Sequence, residues 1–163
     1  MIVKQSETRI YLIMKNSEVS IIDGGLVVDD RGVVRFVNDF NFKGVKRFYQ
    51  VDNFNADVIR AFHGHLKESK YAYVLKGSAI VCVVPIIRIK KPSKRLNVQR
   101  FVLSAKSPKI LYIPPGFANG FRFLENGSSI IFFSTSSLEE SKSDDYRFDY
   151  DYWGTKIWEV ENR

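Results

Sequence analysis

The stretch VIRAFHGHLKESKYAYVLKG, residues 58–77, carries both histidines of the chain, His63 and His65, with Gly64 between them. Extended backbone sends successive side chains to opposite faces, so residues two apart share a face. Read as a strand, the stretch places both imidazoles on one face, and that face is expected to line a pocket. Lys70 follows and opens the run KYAYVLK, which ends at Gly77. This apolar alternating run marks a second strand. The rest of the chain reads as a barrel around these groups.

Upstream, SEVSIIDGGLVVDDRGVVRFVND (17–39) gives three strands separated by a Gly-Gly turn and an Asp-Asp-Arg-Gly turn. Close turn signals between β-branched runs indicate antiparallel sheet. Lys43-Gly44 forms the next turn. Downstream, YAYVLKGSAIVCVVPII reads as a hairpin about Lys76-Gly77-Ser78, and KSPKILYIPPGFANGFRFL as two strands about Pro114-Pro115-Gly116. ENGSSIIFFSTSS reads as a hairpin into a buried strand. The acidic and aromatic segment from 138 to 163 predicts a loop with a short helix or turn, packed back through Trp158. Residues 1–15 hold a short apolar strand, an edge or an exchanged arm. Roughly ten short strands without an internal repeat or linker predict one all-β domain over 1–163, a sandwich or barrel with few short helices.

The length of 163 residues suffices for a substantial core. Thirteen Phe and eight Tyr against two Met fit β-structure. The net charge of +7 favours anionic partners, of which nucleic acid and a nucleotide pyrophosphate are two. Arg88, Lys90, Lys91, Lys94 and Arg95 cluster in one basic loop, yet no aromatic residue is interleaved for base stacking. The loop therefore reads as a solvated edge, where Lys and Pro discourage sheet-to-sheet pairing, and no nucleic-acid partner is expected. Cys82, the one cysteine, excludes an internal disulfide and sits in an apolar run as core filler. RIYLIM is too short and too charged at its flanks for a signal peptide, and no run reaches membrane-span length. The expected location is cytoplasmic, with no membrane partner.

Paired histidines on a barrel strand resemble the first motif of cupins, His-x-His followed by Glu and then Gly. Counted back from Gly77, the Glu position holds Lys70, and in Pro114-Pro115-Gly116-Phe117-Ala118-Asn119 an amide stands where the second motif has its third histidine. A protonated lysine repels a divalent cation, and an amide binds zinc or iron poorly. The expectation is a cupin jelly roll with no metal and no other cofactor. What remains suits proton transfer beside a carbonyl, with an imidazole as base and an ammonium holding the enolate oxygen. Against this stands the reading of His63 and His65 as barrel histidines with a structural role only.

A more specific resemblance follows from an ordered set of blocks. Asp30-Arg31-Gly32, Val51-Asp52-Asn53, Arg60-Ala61-Phe62-His63, Lys70, the run Tyr112 to Phe121 and Arg147-Phe148-Asp149 resemble the dTDP-4-dehydrorhamnose 3,5-epimerase family of cupins, over about residues 26–153. The resemblance implies an isomerase acting on a 4-keto nucleotide sugar. His63 would be the base and Lys70 would stabilise the enolate. Arg60, and Arg31 from a neighbouring subunit, would meet the pyrophosphate. Asn53, His65, Tyr73 and Asn119 would complete the substrate contacts, within a homodimer. Three departures stand out. The family's tyrosine acid aligns with Phe132, which has no proton to give. His65 and Asn119 replace family residues. The carboxylate partner of His63 does not align, leaving Glu159, Glu161, Asp149 and Asp151 as candidates. Phe62-His63-Gly64-His65 also resembles the cupin sugar-nucleotide 3,4-ketoisomerases, and loss of the acid leaves open a non-catalytic sugar-nucleotide binder.

Overall fold

Among the described residues, regular structure is mostly short strands, some of which alternate in burial, as Arg47–Asp52 and Lys70–Lys76 do. The computed structural model describes residues 18–86 and 91–161. The expected arm over 1–15 and the basic positions Arg88 and Lys90 lie outside the described residues. In order, the strands are β1 (Ser20–Asp23), β2 (Gly25–Asp29), β3 (Gly32–Phe36), β4 (Arg47–Asp52), β5 (Ile59–His65) and β6 (Lys70–Lys76). They continue with β7 (Ser78–Pro85), β8 (Gln99–Ser104), β9 (Lys109–Ile113), β10 (Phe117–Phe123), β11 (Ser129–Ser134) and β12 (Tyr146–Arg147). Among the described residues an α-helix, α1 (Leu138–Ser143), precedes β12. A capping box starts it: Ser137 Oγ accepts from the Glu140 amide and the Glu140 carboxylate accepts from the Ser137 amide.

Two five-stranded antiparallel sheets result. The first runs β1-β9-β6-β11-β4 and the second β12-β5-β10-β7-β8, while β2 and β3 pair as a separate hairpin. This is the all-β cupin jelly roll expected from the sequence. Ala72, Val74, Leu111 and Ile130 of the first sheet meet Val81, Val83, Phe121 and Phe123 of the second in one core. Each large apolar side chain so buried contributes roughly 1.5–3 kcal/mol.

The second sheet is covered on its outer face as well. Ile80, Cys82 and Val84 lie there beneath Phe62, Trp153 and Trp158. That explains why β7 reads as an unbroken apolar run rather than an alternating one. Cys82 is fully buried, and burial lifts its thiol to about 12, consistent with a core role. The C-terminal segment is pinned by Trp158 Nε1 donating to the Tyr150 carbonyl and Trp153 Nε1 donating to the Ser93 carbonyl.

Two expected hairpins are corrected. β6 and β7 flank Gly77 but belong to different sheets, as do β10 and β11 on either side of the Glu125–Ser128 turn. A single residue cannot form a two-residue hairpin loop. Gly77 instead turns the chain from one sheet to the other at φ +73°, where a Cβ would meet Ser128 Oγ at 2.0 Å. Among the strands joined by short turns, β2–β3 is a true hairpin.

The register fixes what faces the interior. On the first sheet, Lys70, Ser134 and Arg47 form one cross-strand row and Ala72, Phe132 and Tyr49 the next. On the second, β5 turns Ala61, His63 and His65 inward, and Asn119 on β10 is paired with His63.

A candidate active site between the two sheets

A cavity of about 540 Å³ lies between the sheets, the volume of a small-ligand site. Its wall includes Arg47, Tyr49, Arg60, His63, His65, Lys70, Asn119 and Phe132. His63 enters from the second sheet and Lys70 from the first.

His63 is held by a carboxylate. Its Nδ1 lies 3.0 Å from Asp145 Oδ1, and Asp145 Oδ2 accepts from Arg147 Nε at 2.8 Å. With Nδ1 engaged, Nε2 is the nitrogen left to take a proton. Burial pushes the Asp145 carboxyl up, but hydrogen bonds from Arg147 and His63 outweigh it and hold the group below the usual carboxylate range. The neighbouring Asp144 accepts from the Leu66 and Lys67 amides, fixing this segment against the end of β5. Adjacent acids thus divide the roles of anchor and imidazole partner.

Lys70 is 5% exposed. Burial lowers the pKa of its ammonium, while the nearby charges of Glu68 and Asp145 work against that shift. His65 is 4% exposed, and its Nδ1 sits 3.1 Å from Glu68 Oε2 in an alignment too poor for a hydrogen bond. Burial first, then the charge of Lys70, lowers the His65 pKa. Glu68 is itself fully buried in a cage of Arg47 Nη2, Ser134 Oγ and Ser141 Oγ.

The structure therefore brings His63, His65, Lys70, Arg60 and Asn119 to one cavity. Asn53 stands behind the wall: its Oδ1 accepts from Arg60 Nε at 2.7 Å, and its Nδ2 donates to the Val58 carbonyl. Two expected contacts are not in the cavity of this chain. Tyr73 is odd-numbered on a strand whose inward set is Lys70, Ala72 and Val74, so it faces outward. Arg31 sits at the exposed β2–β3 tip, paired with Asp29.

The four carboxylates expected beside His63 are also elsewhere. Asp149 and Asp151 lie in the turns leading to Trp153, and Glu159 and Glu161 line a separate hollow with Arg100 and Lys156. Asp145 takes the position because β12 pairs with β5, setting Arg147 opposite His63. Sequence reasoning also passed over Glu68, Arg47 and Tyr49. The inward alternation Arg47, Tyr49, Val51 along RFYQVD was the available signal for two of them.

The profile of the dTDP-4-dehydrorhamnose 3,5-epimerase family matches residues 14–157. The spore coat polysaccharide biosynthesis protein SpsL of Bacillus subtilis is 32% identical over 95 residues, which span 58% of this chain and 62% of SpsL. Among solved structures, the dTDP-4-dehydrorhamnose 3,5-epimerase of Bacillus anthracis superposes with a TM-score of 0.66 at 23% identity, covering 82% of this chain and 80% of that one. A 3,4-ketoisomerase from Helicobacter canadensis superposes with a TM-score of 0.62 at 18% identity, covering 83% and 95%. A match over nearly the whole described length, on a jelly roll with a histidine–carboxylate pair inside, assigns the chain: it belongs to the dTDP-4-dehydrorhamnose 3,5-epimerase family.

Proposed function

We propose that the cavity takes a 4-keto-6-deoxy, or related 4-keto, nucleotide sugar and epimerises it by removing a proton beside the carbonyl. The observation that carries this reading is the His63–Asp145 pair facing the buried Lys70 across one cavity. His63 Nε2 takes the carbon-bound proton, and the C–H electron pair moves into the enolate. The Lys70 ammonium faces the oxygen on which the charge collects. Acid–base catalysis of this kind is worth about 10²–10⁴ in rate.

Asn53 presents Arg60 for the pyrophosphate, where a guanidinium fork suits phosphate oxygens. The B. anthracis relative has TDP and PPi bound, which supports a nucleotide ligand of this type. Arg31 reaches a site in a second copy of the chain. The homodimer this requires is supported by the exposed β2–β3 hairpin and by the aromatic outer face of the first sheet, where Phe42, Phe48 and Phe133 cluster. The reaction is read as metal-independent because a lysine sits among the would-be ligands. Among the described residues no three His, Cys, Asp or Glu side chains converge as a metal site. A nucleotide-sugar substrate and a buried free Cys82 suit work in the cytoplasm, and the SpsL likeness favours a place in polysaccharide assembly.

The test is incubation with dTDP-4-keto-6-deoxyglucose in deuterated water. Deuterium at C3 or C5 with inversion is the expected result, and His63→Ala and Lys70→Ala should each abolish exchange. Retained exchange in both variants removes the assignment. His65, beside His63 on the same face, favours 3,4-ketoisomerisation as the second reading, and a 3-keto product would establish it. Neither exchange nor product would leave a binding module.

A further inference from the structure

Inverting a carbon centre through a planar enolate needs a proton taken from one face and another delivered to the opposite face. His63 supplies one side only. Phe132, on the far wall, carries no exchangeable proton. The sheet pairing shows where one is held: Phe132 on β11 is in register with Tyr49 on β4, and the two rings stack at 5.3 Å between centroids with planes 18° apart.

We infer that Tyr49 is the second acid–base group, protonating the sugar carbon from the side opposite His63. This rests on the epimerase reading above and names the group that reading lacks. The placement argues for it. Tyr49 lines the same cavity, but from the first sheet, whereas His63 stands on the second. The other proton carriers on that wall are committed. Arg47 donates to Glu68 and to the Ser136 carbonyl, and a guanidinium does not give up its proton near neutral pH. Lys70 is needed at the oxyanion. His65 projects from the same strand as His63, and so from the same side. Among the described residues no hydrogen bond engages the Tyr49 hydroxyl.

The electrostatics agree with the role of donor. Burial raises the Tyr49 pKa, with the charge of Glu68 adding to it and Arg47, whose Cζ lies 5.0 Å from the ring centroid, opposing it. The phenol is thus fully protonated before the reaction, and Arg47 favours the phenolate that forms. The balance is complete. The substrate C–H breaks to His63, the enolate pair forms a new C–H bond with the Tyr49 proton, and His63-H⁺ and the phenolate return to their starting states through solvent.

The experiment compares wild type with Tyr49→Phe, a change that keeps the ring and its stack on Phe132. Two rates are read in deuterated water: loss of the substrate proton to solvent, and formation of inverted product. The variant should retain the His63-dependent exchange within a few-fold while inversion falls about 10²–10⁴-fold. Tyr49→Phe combined with Phe132→Tyr returns the phenol to the same cross-strand row, about 4.8 Å away, and should recover inversion in part. Wild-type inversion in Tyr49→Phe overturns the assignment while leaving the epimerase reading intact. Equal loss of exchange and inversion also overturns it, because the phenol would then be positioning substrate. Absence of exchange in the wild type would instead bring down the epimerase reading, and this proposal with it.

Discussion

At His65 the cavity wall stores a pH dependence distinct from the chemistry. Its folded pKa lies below 6.5, because burial and then the Lys70 charge disfavour the imidazolium. Between that lowered value and 6.5 the unfolded chain binds more protons than the folded one, so stability rises with pH through this window. The contribution is fully present above 6.5 and is lost as the pH falls below it. His65→Gln should therefore flatten the fall of the thermal midpoint on acidification. Parallel midpoint curves for the two proteins would show that His65 stays as solvated as in the unfolded chain. At this scale the histidine pair, Lys70, Arg60 and Asn119 were legible as cavity residues because each sits in a spaced motif. Asp145 was not, since a two-residue strand leaves no periodic trace, and nothing local marks it over Asp149. Tyr49 was hidden by the arginine two positions before it, which makes an inward-facing strand look like an exposed one.

Between elements, alternation located most strands but not their partners. Turn residues announce a reversal without saying whether the next strand pairs with the last or crosses to the other sheet. Gly77 and Gly127 make this testable, because both adopt positive φ, +73° and +74°, in turns of opposite crowding. A Cβ at Gly77 meets Ser128 Oγ at 2.0 Å, whereas at Gly127 the nearest neighbour is Lys76 Nζ at 3.8 Å. Gly127→Ala should cost about 1–2 kcal/mol from the backbone alone. Gly77→Ala should cost about 2–4 kcal/mol, since overpacking adds to the same backbone strain. Urea midpoints at constant slope measure both, and equal losses would mean that Ser128 yields without penalty.

For the whole molecule, the two sheets differ in what covers them. The second is sealed by the C-terminal segment, while the first leaves Phe42 and Phe48 more than half exposed on its outer face. A proposed homodimer would close that face and carry Arg31 to the second cavity. Phe48→Asp should shift the chain to monomer in sedimentation, and Arg31→Ala should raise KM for the nucleotide sugar at little change in kcat. A wild-type monomer at assay concentration would discard the dimer. The His63–Asp145 pair also carries a lesson in timing. Its imidazole comes from the fifth strand, whereas its carboxylate follows the eleventh. During synthesis, a nascent chain can lay down nearly every wall of the barrel and still lack the carboxylate that meets the His63 imidazole. In the proposed reaction, the base would thus gain its orienting carboxylate only after the scaffold is laid down.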